Sequence, residues 1–291
     1  MGKASRRPRG ARADRTTRPA PAPFVARPFE GLPSETEWVA LREILPAATG
    51  EVRLTADGST SAATVCTVLP LAWPALHRNG GEVFVATQSG ATSGDPSRDI
   101  AAALLLAADA DEGTPITTVP NPGADSPRLQ DVLDLSMPFA VTIHDGFDFW
   151  VGDNALDQEG QQSLERANES VIPTTRMSTA PSAYWCRIGE RTHVRLVLPE
   201  DEDVATDALA RLHAAAESGL GEGTRLLGAF RACGLLVPVW ELDSTRAADD
   251  YEEPLGEFTT RYAAAAASGA SLTAGERRAR SGLLSRQVTL R

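Results

Sequence analysis

The apolar residues of this chain change period again and again, from the 3.6-residue spacing of a helix to the two-residue spacing of a strand, without regular strand-helix-strand alternation. That ordering disfavours a doubly wound sheet. It predicts an α+β fold: mixed or antiparallel sheets with packed helices. In the first half, Ser34-Glu35-Thr36-Glu37 reads as a capping box ahead of Trp38, Leu41 and Leu45 on one helical face. Val- and Thr-rich strand runs follow at 51–54, 62–69 and 82–87, broken by Asp57-Gly58 and Asn79-Gly80-Gly81. A helix over 96–110 takes Asp95 as its N-cap, and a short one covers 128–133. Asp145-Gly146 predicts a two-residue hairpin between 139–144 and 147–151, and a polar helix spans 157–171.

The second half opens with strands at 183–188 and 192–198. It continues with a helix at 203–217, a glycine-rich turn, a short helix at 224–233, a strand at 235–241 and a helix at 254–267 whose inner face is Leu255, Phe258 and Tyr262. The expected organisation is a disordered basic tail (1–29), an N-terminal α+β half (30–172), a linker (173–182), a C-terminal α+β half (183–270) and a basic C-terminal tail (271–291).

Charge is distributed unevenly. The net −11 of the 291 residues divides into +7 over 1–29, −22 over 30–271 and +4 over 272–291. An acidic body disfavours nucleic-acid binding by the protein as a whole, whereas the arginines of the N-terminal tail suit nucleic-acid phosphates or an acidic partner. Of the 28 basic residues only Lys3 is a lysine, which excludes a P-loop ATPase, a protein kinase and a Schiff-base enzyme. The longest strictly apolar run, Ile100 to Ala108, is about half of what a bilayer requires, so no membrane span is expected. Cys66, Cys186 and Cys233 are odd in number and far apart, which points to a reducing cytosol. Cysteines and histidines never come in close pairs, so no metal site and no cofactor is expected.

Four places carry candidate chemistry. The first is the strand Tyr184-Trp185-Cys186-Arg187-Ile188 and its partner bearing His193 and Arg195. A two-residue loop, Gly189-Glu190, puts Cys186 opposite His193 as a thiol with its base. A three-residue loop instead gathers Cys186 with Tyr184, Ile188, Val194, Leu196 and Leu198 into an apolar face, leaving Trp185, Arg187, His193 and Arg195 as an outer arginine-aromatic ligand patch. The second is the acidic hairpin holding His144, Asp148 and Asp153, where alternation sends His144 and Asp148 to opposite faces. The third is the run Gly219 to Thr224, which resembles an anion-binding loop but has neither a Walker lysine nor the dinucleotide glycine spacing, so Thr224 reads as a helix N-cap. The fourth is the pair Cys66 and Cys233, both read as core residues.

Two stretches are long and specific. Gly31-Leu32-Pro33-Ser34-Glu35-Thr36-Glu37-Trp38, continuing to Glu43, and Gly221-Glu222-Gly223-Thr224-Arg225-Leu226-Leu227-Gly228, continuing to Trp240, resemble an uncharacterised actinobacterial family, DUF5926, over most of the chain. The resemblance implies a high-GC Gram-positive source and no particular activity. The function expected is therefore a cytosolic, non-enzymatic binding or regulatory module with an acidic body and basic flexible ends. Its alternatives are a hydrolase or thiol-dependent enzyme using Cys186 and His193, and a scaffold subunit with a groove between its halves.

Overall fold

The computed structural model describes residues 20–56, 59–90, 93–151 and 156–285. Among these, the first half runs α1 (Glu35–Glu43), β1 (Ala48–Ala56), β2 (Ser59–Cys66), β3 (Ala75–His77), β4 (Val83–Ala86), α2 (Pro96–Asp109), β5 (Thr114–Ile116), α3 (Leu129–Val132), β6 (Val141–Ile143) and α4 (Gln158–Glu169). Its six strands form one sheet in the order β5-β3-β4-β2-β1-β6, parallel only at β2 and β4. The second half runs β7 (Thr174–Arg176), β8 (Ala183–Ile188), β9 (Arg191–Leu196), α5 (Glu202–Ala214), β10 (Arg225–Ala232), β11 (Leu235–Leu242), α6 (Glu252–Ala266) and α7 (Ala274–Ser285). Its five strands make an antiparallel sheet, β10-β11-β9-β8-β7. The fold is α+β.

The second sheet is covered on both faces. One face lies on α5 and α6: Trp185, Val194, Leu196 and Trp240 meet Leu209, Leu255, Phe258 and Tyr262. The other face contributes Tyr184, Val197, Ala232, Leu235 and Val237 to the core of the first half, where they join Trp38, Leu41, Val65, Leu104 and Leu129. The two halves thus share a hydrophobic core.

Several expectations are corrected. The helix expected at 224–233 is instead β10, Arg225–Ala232. Leu226, Phe230 and Cys233 have helical spacing by coincidence, because a bulge at Leu226/Gly228 shifts the strand's alternation and both its faces are covered. The hairpin at Asp145-Gly146 does not form. β6 pairs with β1, and Asp148–Trp150 turns into a short 3₁₀ segment. Phe147 stacks on Trp150 at 4.4 Å between ring centres and buries itself beside Leu164, while its amide donates to Asn168 Oδ1 at 2.7 Å. Asp95 does cap α2, accepting from the Ser97 amide at 3.2 Å.

The ends are more ordered than their composition suggests. Residues 1–19 and 286–291 lie outside the described residues, but 20–29 run along the body. Phe29 is fully buried 5.8 Å from the Trp38 ring, the Val25 amide donates to Gly94, and Arg27 forks onto Glu35 at 2.7 and 2.8 Å. At the other end α7 packs against α5 and buries Leu283. Segment 20–29 and the arginine-rich α7 therefore carry enough apolar surface to dock.

The capping box at Ser34 is also absent, because Glu37 is used elsewhere. Ser34 starts α1 with φ 54° and no side-chain cap. The Glu37 carboxylate, 7% exposed, receives Arg176 through two hydrogen bonds (2.9 and 2.6 Å), Ser182 Oγ (2.6 Å) and Tyr184 OH (3.1 and 3.2 Å). Burial pushes this carboxyl up, but the Arg176 and Ser182 hydrogen bonds, the Arg176 charge and the Tyr184 hydroxyl outweigh it and leave it below the ordinary value of 4.5. Glu37→Ala should lower stability by about 3 kcal/mol, measured as a reduced urea midpoint, because it strands a half-buried guanidinium. A depressed carboxyl contributes fully above pH 4.5 and loses its contribution as pH falls through the folded value, so Glu37→Gln should flatten that acid limb of the stability profile.

Candidate functional site

The β8–β9 hairpin decides between the two sequence alternatives. Ile188 pairs with Arg191 and Cys186 with His193, so the loop is the two residues Gly189-Glu190, with Gly189 at φ 58° where a type II′ turn requires positive φ. Directly paired residues share a face. Two registered rows therefore cross the whole sheet: Thr174, Cys186, His193, Glu241 and Arg225, and beside it Arg176, Tyr184, Arg195, Val239 and Gly228.

The outer patch expected from the longer loop is split by this register. Trp185 and Arg187 lie on the α5/α6 face, where the Arg187 guanidinium sits 5.5 Å from the Trp185 ring centre and Trp185 belongs to the core. His193 and Arg195 lie on the opposite face with Cys186 and Tyr184.

The register brings Cys186 and His193 together but arms neither. Burial raises the Cys186 thiol above its ordinary 9.0, and the Arg195 charge only partly opposes this. Burial and then Arg195 lower the His193 imidazole below 6.5, with Glu241 pulling the other way. A neutral thiol thus faces a neutral ring at pH 7, the reverse of the thiolate–imidazolium state a cysteine nucleophile needs. His193 Nδ1 is buried without a hydrogen-bond partner, and so is Arg195 Nε.

The remaining candidates resolve structurally. His144 Nε2 lies 2.8 Å from Thr49 Oγ1 and its ring packs against Phe149, while Asp145 and Asp148 act on it only through their charge. Asp153 lies outside the described residues. The glycines before Thr224 lead into a strand, so the helix N-terminus that would attract an anion is missing. Thr224 Oγ1 accepts from the Leu220 amide and donates to the Gly221 carbonyl, both at 2.8 Å, closing the turn on itself. Cys66 is buried in β2, whereas Cys233 sits at the β10–β11 turn with φ 46°, its thiol pushed up to about 12 first by burial and then by the Glu43 charge. Among the described residues no group of His, Cys, Asp and Glu is arranged to hold a metal ion, and no helix is long and apolar enough to cross a membrane.

Two clefts lie where residues of the two halves meet. One, of about 410 Å³, lies between Phe24–Ala26, Asp99 and the β10–β11 turn. The other, of about 270 Å³, runs from Thr36 to Tyr262, whose hydroxyl donates to Glu200 at 2.6 Å. Sequence reasoning missed the Glu37 cluster, since nothing local marks Arg176, Ser182 and Tyr184 as partners of a residue about 140 positions away.

The molecule is thus an α+β protein in which two sheets share a core. It belongs to a family of unknown function, DUF5926, whose model matches residues 28–291. No curated protein and no solved structure matches it.

In the folded chain at pH 7, Cys186 should resist iodoacetamide and become alkylated only after urea unfolding, as read by peptide mass spectrometry. Rapid labelling of the native protein would reinstate the thiol-enzyme alternative.

Proposed function

We propose that this protein is a cytosolic, non-enzymatic binding and regulatory module, an acidic body that holds its own basic ends and meets a nucleic-acid partner through its N-terminal arginines. The observation that carries this reading is the acidic start of α5. Asp201 takes Arg27 from the N-terminal segment at 2.5 Å, Glu202 takes Arg231 at 2.6 Å, and Asp203 and Asp207 take Arg280 from α7 at 2.6 and 2.7 Å. Both basic ends thereby converge on the N-terminal end of α5.

Asp201 and Asp203 are well exposed and Glu202 and Asp207 partly so, and each pair is worth about 0–1 kcal/mol and weakens with salt. Such a latch yields to a polyanion, because phosphates compete for the same arginines and release counterions. Residues 1–19 hold seven basic side chains against Asp14 alone, and they continue directly into the segment that Arg27 ties to α5. The neutral state of Cys186 and His193 supports the non-enzymatic reading over the thiol enzyme.

The test compares RNA and duplex DNA binding at two salt concentrations for the full chain, a chain lacking 1–19, and Asp203→Asn/Asp207→Asn. Truncation stops at 19 because 20–29 are part of the body. Binding should weaken with salt, vanish without 1–19, and strengthen about fivefold in the double variant, the worth of one exposed ion pair. No binding by any form, or binding indifferent to salt and to 1–19, overturns the reading.

A further inference from the structure

Arg195 stands apart from the other buried charges of this protein. It is 7% exposed, near the C-terminal end of β9, the central strand of the second sheet. The comparably buried carboxylates all find donors: Glu37 is matched by Arg176, Asp95 by Arg98 and Arg128, and Asp99 accepts from the Ser93 amide. The Arg195 side chain makes no ion pair, ring contact or hydrogen bond among the described residues, and its Nε is buried without a partner.

Its neighbours do not supply the missing charge. Tyr184, directly opposite, gives its hydroxyl to Glu37, and Val239 lies on the other side. Glu241, opposite His193 in the next row, is held by Arg225 at 2.6 Å. Arg191 lies on the same strand and face two positions beyond His193 and adds a further positive charge. This part of the sheet is locally basic within a body that is strongly acidic overall. A buried guanidinium without a counter-charge is costly unless something pairs with it, and its planar fork fits one group best, a flat or tetrahedral oxyanion.

We propose that Arg195 and His193 bind a single oxyanion, the carboxylate or phosphate group of a small ligand, on this face of the second sheet. Arg195 provides the charge and the fork. His193, two positions along the same face, supplies a second donor from its ring, and Cys186 opposite it fills space rather than reacting. Near-complete burial of Arg195 admits a small headgroup and not a polymer backbone, so the site is separate from the N-terminal arginines and stands or falls independently of them.

The experiment uses the full chain with inorganic phosphate and acetate as probes, each against chloride at matched ionic strength, read by thermal unfolding and by calorimetric titration. Saturable stabilisation is expected for phosphate, for acetate, or for both; phosphate alone assigns a phosphorylated ligand, and acetate assigns a carboxylate. Arg195→Met should weaken that binding at least tenfold while melting, without probe, at or above the temperature of the native chain, since an unpaired buried charge is replaced by an apolar side chain of similar length. His193→Gln, the second variant, should weaken binding several-fold without lowering the unliganded melting temperature. The chain lacking 1–19 should respond as the full chain does. Absence of a saturable response to both probes, an equal response in Arg195→Met, or a lower unliganded melting temperature in Arg195→Met would each overturn the proposal, the last by making Arg195 a structural residue.

Discussion

Glu37 fixes the relation between the two halves of this molecule. A carboxylate taken almost wholly out of water is expensive, and it persists only where donors surround it. Here the donors come from β7, from the turn before β8 and from β8 itself, all in the second half. Arg176 also donates to the Val141 carbonyl, so the same guanidinium reaches the end of the first sheet. Satisfying one buried charge thus sets α1 against the edge of the second sheet. Tyr184, Val197 and Leu235 are then placed where the first half needs apolar surface.

That arrangement explains which elements could be read from the sequence. α6 buries one stripe, so its periodicity is plain: Leu255, Phe258 and Tyr262 are its buried residues, as the spacing predicts, whereas α1 is buried over five consecutive residues, Glu37 to Leu41. β10 defeats the same reasoning because its sheet is covered on both faces. Where both faces are apolar, alternation disappears, and a strand with a bulge mimics a helical stripe. The 139–151 hairpin failed for a different reason. The turn residues were suitable, but three aromatic side chains, Phe147, Phe149 and Trp150, gain more by clustering near α4 than by standing along a strand.

The candidate site was half legible for the same cause. Turn chemistry at Gly189-Glu190 implied the register that pairs Cys186 with His193, whereas the search for one clean apolar face implied the other. The turn was the better guide, because local backbone geometry does not depend on what covers the sheet. The apolar-face criterion assumes a solvent side that β8 and β9 do not have. Long-range partnerships such as Glu37 with Arg176, or Asp201 with Arg27, leave no local trace.

Arginine's near-monopoly of the basic residues acquires a structural meaning in this light. Arg176 forks onto Glu37, Arg27 onto Glu35, and Arg280 spans Asp203 and Asp207, each using two donors at fixed separation. A lysine ammonium is a point charge and satisfies such pairs one oxygen at a time. Whatever bias filled the sequence with arginine, the fold has come to depend on the fork, so an Arg→Lys change at 176 is a structural change and not a conservative one. The same chemistry makes an unpaired fork conspicuous. Among the described residues the buried carboxylates all find donors, whereas the guanidinium of Arg195 faces no carboxylate of its own and marks the place where the protein's own charge balance stops.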